Sequence, residues 1–151
     1  MSSGIEVNDA CVDAFHEIRD HKSKFAIFKI SDDKLSVVVD NTSNQPRKDG
    51  DDNELPFLDD MYEEFLARIP EKEGRFAVYD FDYEVEGGKR NRLLFYSWAP
   101  DAASVKNKML YASTKQAFIG KLNGVAANIQ ATDDSDLSHE SVLEKMLASS
   151  R

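Results

Sequence analysis

Three histidines and one cysteine are the side chains of this chain best suited to metal or nucleophile chemistry, and their spacing supports neither. His16, His21 and His139 lack metal-ligand spacing, and Cys11 occupies an apolar position of an expected helix. Gly87-Gly88-Lys89 does not belong to a G-x-x-x-x-G-K-[ST] phosphate loop and reads as a hairpin turn. Neither G-x-S-x-G nor H-E-x-x-H occurs. Asp49-Gly-Asp51-Asp52-Asn53 opens like a calcium loop. Glu54 then stands where glycine is needed and Asp60 where glutamate is usual, so a solvated acidic loop is the better reading. No enzyme chemistry, metal or cofactor is expected.

Recognition chemistry is better represented. From Lys89 to Lys121 an acidic protein turns basic: Lys89, Arg90, Arg92, Lys106, Lys108, Lys115 and Lys121 face a single acid, Asp101. The formal charge of this segment is +6 in a chain of −9, leaving −15 elsewhere. So local a reversal can orient an acidic partner while the remaining surface repels it. The net charge argues against general nucleic-acid binding, which needs an excess of Lys and Arg over a whole face.

The elements that must carry these residues follow from periodicity. Asn8 suits an N-cap, with Val7 and Val12 spaced for a hydrophobic staple and Cys11, Phe15 and Ile18 on the inner face of a helix to about Asp20. Phe25–Ile30 reads as a strand buried on both sides and Leu35–Val39 as a second strand. Asp40–Pro56 reads as a long polar loop. Leu58, Met61, Phe65 and Ile69 mark an amphipathic helix ending before Pro70. In Arg75–Val85, Ala77, Tyr79, Phe81, Tyr83 and Val85 share one face, with Asp80, Asp82 and Glu84 on the other. Glu86–Lys89 is a hairpin turn and Arg92–Trp98 the return strand.

Pro100 and Asp101 suit the start of the next helix, and Ser113 with Gln116 a capping box that restarts or kinks it. Gly120 is expected to weaken its interior and Gly124 to stop it. Val125–Ala131 reads as a short strand. A last helix opens at Leu137-Ser138, with Val142, Leu143, Met146 and Leu147 inward. Strands buried on both faces need helices on both faces, so the fold class is α+β in three layers, a central mixed sheet between two helical layers.

The length of 151 residues suits one domain spanning 1–151 with a sizeable core. A single cysteine permits no internal disulfide and fits a reducing compartment. Met1–Glu6 lacks the apolar core of a signal peptide, and no run approaches the ~18 apolar residues of a membrane helix. A cytoplasmic protein is expected. His21-Lys-Ser-Lys24 is too short a basic cluster to argue nuclear entry from.

Several stretches, in order along the chain, resemble the actin-depolymerising factor/cofilin family, and fungal cofilins most. They are Met1-Ser-Ser-Gly-Ile-Glu-Val7, Tyr79-Asp-Phe-Asp-Tyr-Glu84, Gly88-Lys-Arg-Asn-Arg92, Phe95-Tyr-Ser-Trp-Ala-Pro-Asp101, Val105-Lys-Asn-Lys-Met-Leu-Tyr-Ala-Ser113, Leu122-Asn-Gly124 and Ser141-Val-Leu-Glu-Lys145. The resemblance implies the actin-depolymerising-factor homology fold. It also implies a monomeric, non-enzymatic protein that binds actin monomers and filaments, severs and depolymerises filaments, and binds phosphatidylinositol bisphosphate. Carried over by residue, a site for monomer and filament comprises Ser3, Gly4, Lys106, Lys108 and Met109. A filament site comprises Arg90, Arg92, Glu144 and Lys145. Ser3 is the implied regulatory phosphorylation site, where about −1.5 to −2 added charges would repel an acidic partner.

Lys106 and Lys108 are two apart, so on a helix they straddle the edge that carries Met109. Arg90 and Arg92 alternate with Asn91 and share one side of a strand. Two rival readings remain. One is a non-severing sibling of the same fold, of the coactosin or glia-maturation-factor kind. The other is a phosphoinositide-binding module without an actin role.

Overall fold

A computed structural model describes residues 5–44 and 61–149. Ser3 and Gly4, the Asp49–Asn53 stretch and the expected helix start at Leu58 lie outside these residues, as does the expected loop from residue 45 to Pro56. Asn8 caps α1 (Asp9–Arg19), its side-chain oxygen accepting the Ala10 N–H at 2.9 Å. Cys11, Ala14, Phe15 and Ile18 form the buried stripe of α1. Among the described residues, six strands make one sheet: β1 (Glu6–Val7), β2 (Phe25–Ile30), β3 (Ser36–Thr42), β4 (Arg75–Val85), β5 (Gly88–Trp98) and β6 (Ala127–Ala131). Their order is β1-β3-β2-β4-β5-β6. The outer pairs β1–β3 and β5–β6 are parallel and the inner pairs antiparallel, so the sheet is mixed as expected.

Alternation along the strands builds two cores. Phe25, Ile27, Ala77, Tyr79, Phe81 and Tyr83 pack beneath α2 (Met61–Ala67) and α4 (His139–Ser149). Ala26, Phe28, Phe76, Val78 and Phe95 pack beneath α1 and α3 (Val105–Ile119). The Phe118 ring meets Phe28 edge-on, centroids 4.9 Å apart. Fully burying one such ring stabilises the fold by about 1.5–3 kcal/mol, so the aromatic layer is what fixes α3 laterally.

The structure departs from the periodicity at several points. β3 runs on through Asp40, Asn41 and Thr42, where loop was expected. Distant partners satisfy those polar groups: Arg75 Nε donates to Asp40 at 3.1 Å, and Arg68 donates to Asn41 and to the Thr42 carbonyl. β5 starts at Gly88 instead of Arg92. Only Glu86 and Gly87, both at positive φ, form the turn, as a two-residue primed hairpin requires.

Pro100 and Asp101 do not start α3. The Ala99 and Asp101 N–H groups still donate to Ala131 and Thr132 carbonyls, and the helix begins after Ser104. Ser113 caps nothing. Its hydroxyl donates back to the Leu110 carbonyl, and the helix runs unbroken to Gly120, which is its C-cap and not an interior residue. Gly124, at φ 108, lies in the following turn. A 3-10 turn, Asp134–Leu137, precedes α4.

Candidate functional site

Helix α3 is held by one face and open on the other. Tyr111, Thr114 and Phe118 are buried. On the opposite side Val105 is 70% exposed and Met109 65% exposed, four residues apart on one stripe. Lys106 and Lys108 flank that stripe on its two sides. Lys106 is exposed, whereas Lys108 is partly covered and donates from Nζ to the Asp101 carbonyl at 3.2 Å. The expected straddling geometry is therefore present, with one lysine reaching out and the other folded back on the chain.

The electrostatics of this helix end are one-sided. Ser104 Oγ accepts the Asn107 N–H at 3.1 Å, and the first turn holds no acidic residue. A helix N-terminus already carries about half a positive charge, which carboxylates ordinarily offset. Here Lys106 and Lys108 add to it. The result is an apolar stripe beside an uncompensated positive field.

The hairpin arginines lie on the other side of the sheet. Arg92 pairs in register with Phe81 and Arg90 with Tyr83, both members of the core beneath α2 and α4. Arg92 Nε donates to the Tyr83 hydroxyl at 3.0 Å, while Arg90 is exposed. Arg90, with Tyr83, Glu84, His139 and Leu143, lines a groove of about 690 Å³ between the hairpin and α4. His139 stacks on Phe81 with centroids 4.5 Å apart, closing the inner end of that groove.

Glu144 and Lys145 do not line it. Glu144 is exposed, and Lys145 Nζ donates to the Gln130 carbonyl at 3.3 Å, with Asp136 at 3.7 Å. From the opposite layer Lys115 Nζ donates to Gln130 Oε1 at 2.7 Å. The two residue sets thus occupy opposite layers, and Gln130 at the β6 edge is where lysines from both meet.

The sequence places Lys115 in the basic segment and Val105 and Asn107 in a resembling stretch without assigning them to the site, and it does not single out Ser104. Ser104 immediately before an apolar residue was a readable cap signal. Val105 carried none, since an apolar residue opening a helix reads as core.

The most perturbed titratable groups belong to the cores. Burial pushes the Cys11 thiol up to about 12, and its Sγ donates to the Val37 carbonyl at 3.3 Å. Burial likewise pushes the Tyr62 hydroxyl up to about 12 and raises Tyr79, Tyr96 and Tyr111. Among the described residues, no group of three or more His, Cys, Asp or Glu could hold a metal ion, and no helix is long and apolar enough to cross a membrane.

Residues 4–147 match the family described as cofilin/tropomyosin-type actin-binding protein. The chain is 44% identical to a cofilin of Ogataea parapolymorpha over 147 residues, covering 95% of this chain and 93% of that one. It is 40% identical to a cofilin of Saccharomyces cerevisiae at the same coverage. The fold superposes on the crystal structure of Streptomyces griseoflavus cofilin with a TM-score of 0.79, at 40% identity, covering 95% of this chain and 97% of that one. Human coactosin-like protein, at 14% identity and a TM-score of 0.75, shares the fold alone. The chain belongs to the actin-depolymerising factor/cofilin family.

Proposed function

We propose that this protein binds actin monomers and filaments, and drives filament turnover by severing and depolymerising them. It acts by binding, not by catalysis, in the cytoplasm on the actin cytoskeleton, as a single domain and a monomer. The observation that carries the reading is the start of α3. Exposed Val105 and Met109 lie beside Lys106 and Lys108 at a helix end with no acidic residue in its first turn. Leaving that field uncompensated costs the isolated helix a few tenths of a kcal/mol to about 1 kcal/mol, a cost that an acidic partner removes on docking. An apolar contact ringed by cations is what an acidic protein surface with an apolar cleft requires.

Monomer contact is assigned to Lys106, Lys108 and Met109, joined by the Ser3-Gly4 tail. Filament-specific contact is assigned to Arg90, Arg92, Glu144 and Lys145. Since the α3 set and the hairpin set lie in opposite layers, they would engage two actin subunits rather than one. Phosphorylation at Ser3 would place a dianion beside the acidic partner and weaken binding. Clustered lysines near an anionic membrane gain roughly 1 kcal/mol each, so phosphatidylinositol bisphosphate would compete with actin for the basic segment.

Single-filament fluorescence tests the reading. Wild type is expected to sever. Lys106→Ala/Lys108→Ala is expected to lose monomer and filament binding, and Arg90→Ala/Arg92→Ala only filament binding. Wild type decorating filaments without breaking them would replace this reading with the coactosin-like one. A wild type with no affinity for actin would overturn it altogether.

A further inference from the structure

The first two turns of α3 are tied to the sheet by two polar contacts that neither core explains. Asn107 Oδ1 accepts the Gly74 N–H at 2.8 Å, at the entrance to β4. Four residues on, the Tyr111 hydroxyl accepts the Ile30 N–H at 2.9 Å, at the end of β2. Both acceptors lie on the buried side of the helix, opposite Val105 and Met109. Each takes a backbone donor at a strand end, where no neighbouring strand supplies a carbonyl.

Gly74 closes the arrangement sterically. A Cβ there would stand 2.7 Å from Tyr111 Cδ2 and 2.9 Å from Cγ, closer than real side chains approach. The ring cannot swing aside freely. Its hydroxyl is fixed by Ile30, and its face packs against Phe76 with centroids 5.1 Å apart. The Asn107 backbone N–H is itself held by Ser104 Oγ. Asn107 therefore joins the helix cap, through its main chain, to the sheet, through its side chain.

We infer that Asn107, seated on Gly74, is a positioning residue that sets the angle at which the α3 start presents Lys106 and Met109 to a docking partner. This rests on the actin-binding reading above and adds to it a residue that need not touch actin. The physical reason is that Tyr111 and Phe118 fix the middle and end of α3, whereas the Asn107 side chain ties its first turn to the sheet. Without that bond the first turn is free to fray, and ordering it again on docking lowers affinity.

The test compares Asn107→Leu, which keeps the size but removes the acceptor, with Asn107→Asp, which keeps it. Hydrogen exchange of the Gly74 amide reads the contact directly. Asn107→Leu is expected to lose about tenfold in Gly74 protection and about tenfold in monomer-actin affinity, one hydrogen bond's worth. Its urea midpoint should fall modestly, by one hydrogen bond's worth, leaving the variant fully folded in the urea-free binding assay. Asn107→Asp is expected to restore Gly74 protection and bring affinity back to within about threefold of wild type. If Asn107→Leu loses Gly74 protection yet binds monomer as wild type does, the positioning role is overturned. If Gly74 protection is unchanged, the contact itself is overturned. A wild type that fails to bind actin removes the underlying reading, and this inference with it.

Discussion

Asn91 donates from Nδ2 to Asp80 Oδ1 at 2.8 Å, diagonally across the hairpin, since the register partners are Asp80 with Leu93 and Asp82 with Asn91. The second carboxylate oxygen lies 3.4 Å from His21 Nδ1, and Asp80 is only 5% exposed. A buried carboxylate thus links the end of α1 to the stem that carries Arg90 and Arg92. His21 holds this position in a left-handed conformation, φ 63, which costs a non-glycine residue about 1 kcal/mol.

Asp80→Leu should therefore destabilise the protein by about 1 kcal/mol, the net worth of the lost hydrogen bond, because Asn91 is exposed and its amide can turn to water. Urea unfolding followed by circular dichroism measures this. The pair Asp80→Leu/Asn91→Leu should cost less than the sum of the two single variants, since both remove the same hydrogen bond. A double variant no better than the sum of the singles would show that the two residues are not coupled.

Alkaline pH should unfold the protein cooperatively. Burial raises the hydroxyls of Tyr62, Tyr79, Tyr96 and Tyr111 above the ordinary value of about 10. The folded state therefore holds these protons more tightly than the unfolded chain. Stability is full below about pH 10 and falls as pH rises toward about 12, where the Tyr62 hydroxyl ionises in the fold. Tyrosinate absorbance from the buried rings should appear together with loss of the circular dichroism signal. Full ionisation of the buried tyrosines near pH 10 with the fold intact would refute their burial.

Cys11 should be chemically silent in the native protein. It is fully buried, its thiol is pushed up to about 12, and it donates to the Val37 carbonyl across to β3. Thiolate, not thiol, attacks disulfide reagents. Labelling by a chromogenic disulfide at pH 8 should be slow and accelerate in urea along the unfolding curve. Stoichiometric labelling within seconds in buffer would place the thiol on the surface.

What was legible in the sequence was local. The alternation of Ala77, Tyr79, Phe81 and Tyr83 marked the face beneath α2 and α4, and Asn8 marked the start of α1. Asp40 and Asn41 read as loop because their partners, Arg75 and Arg68, lie about thirty residues away, and no local pattern announces them. The α3 start was misplaced for a related reason. Pro100 and Asp101 look like helix-opening residues, but a β6 extension claims their backbone. At the site, helical spacing placed Lys106 and Lys108 on either side of Met109, while the choice of Met109 as a contact came from the resemblance. The contribution of Val105 and the inward bond of Asn107 depend on where the sheet ends, which the residues of α3 do not encode by themselves.

The two lysines of the α3 start should behave differently, because only one is engaged internally. Lys106 is exposed and belongs to the field that steers an acidic partner. Lys106→Gln should therefore slow monomer association roughly threefold at low salt, with the difference shrinking at high salt. Its urea midpoint should not move, since an exposed lysine adds nothing measurable to stability. Lys108 also donates to the Asp101 carbonyl, so Lys108→Gln removes a tether on the segment leading into Ser104 as well as a charge. It should slow association in the same way and, in addition, raise amide exchange of Ala102, Ala103 and Ser104. Stopped-flow association at two ionic strengths, paired with hydrogen exchange, separates the two effects. Equal exchange in both variants would mean that the Lys108 contact does not hold that segment, and salt-independent association would mean that the positive field of α3 plays no part in docking.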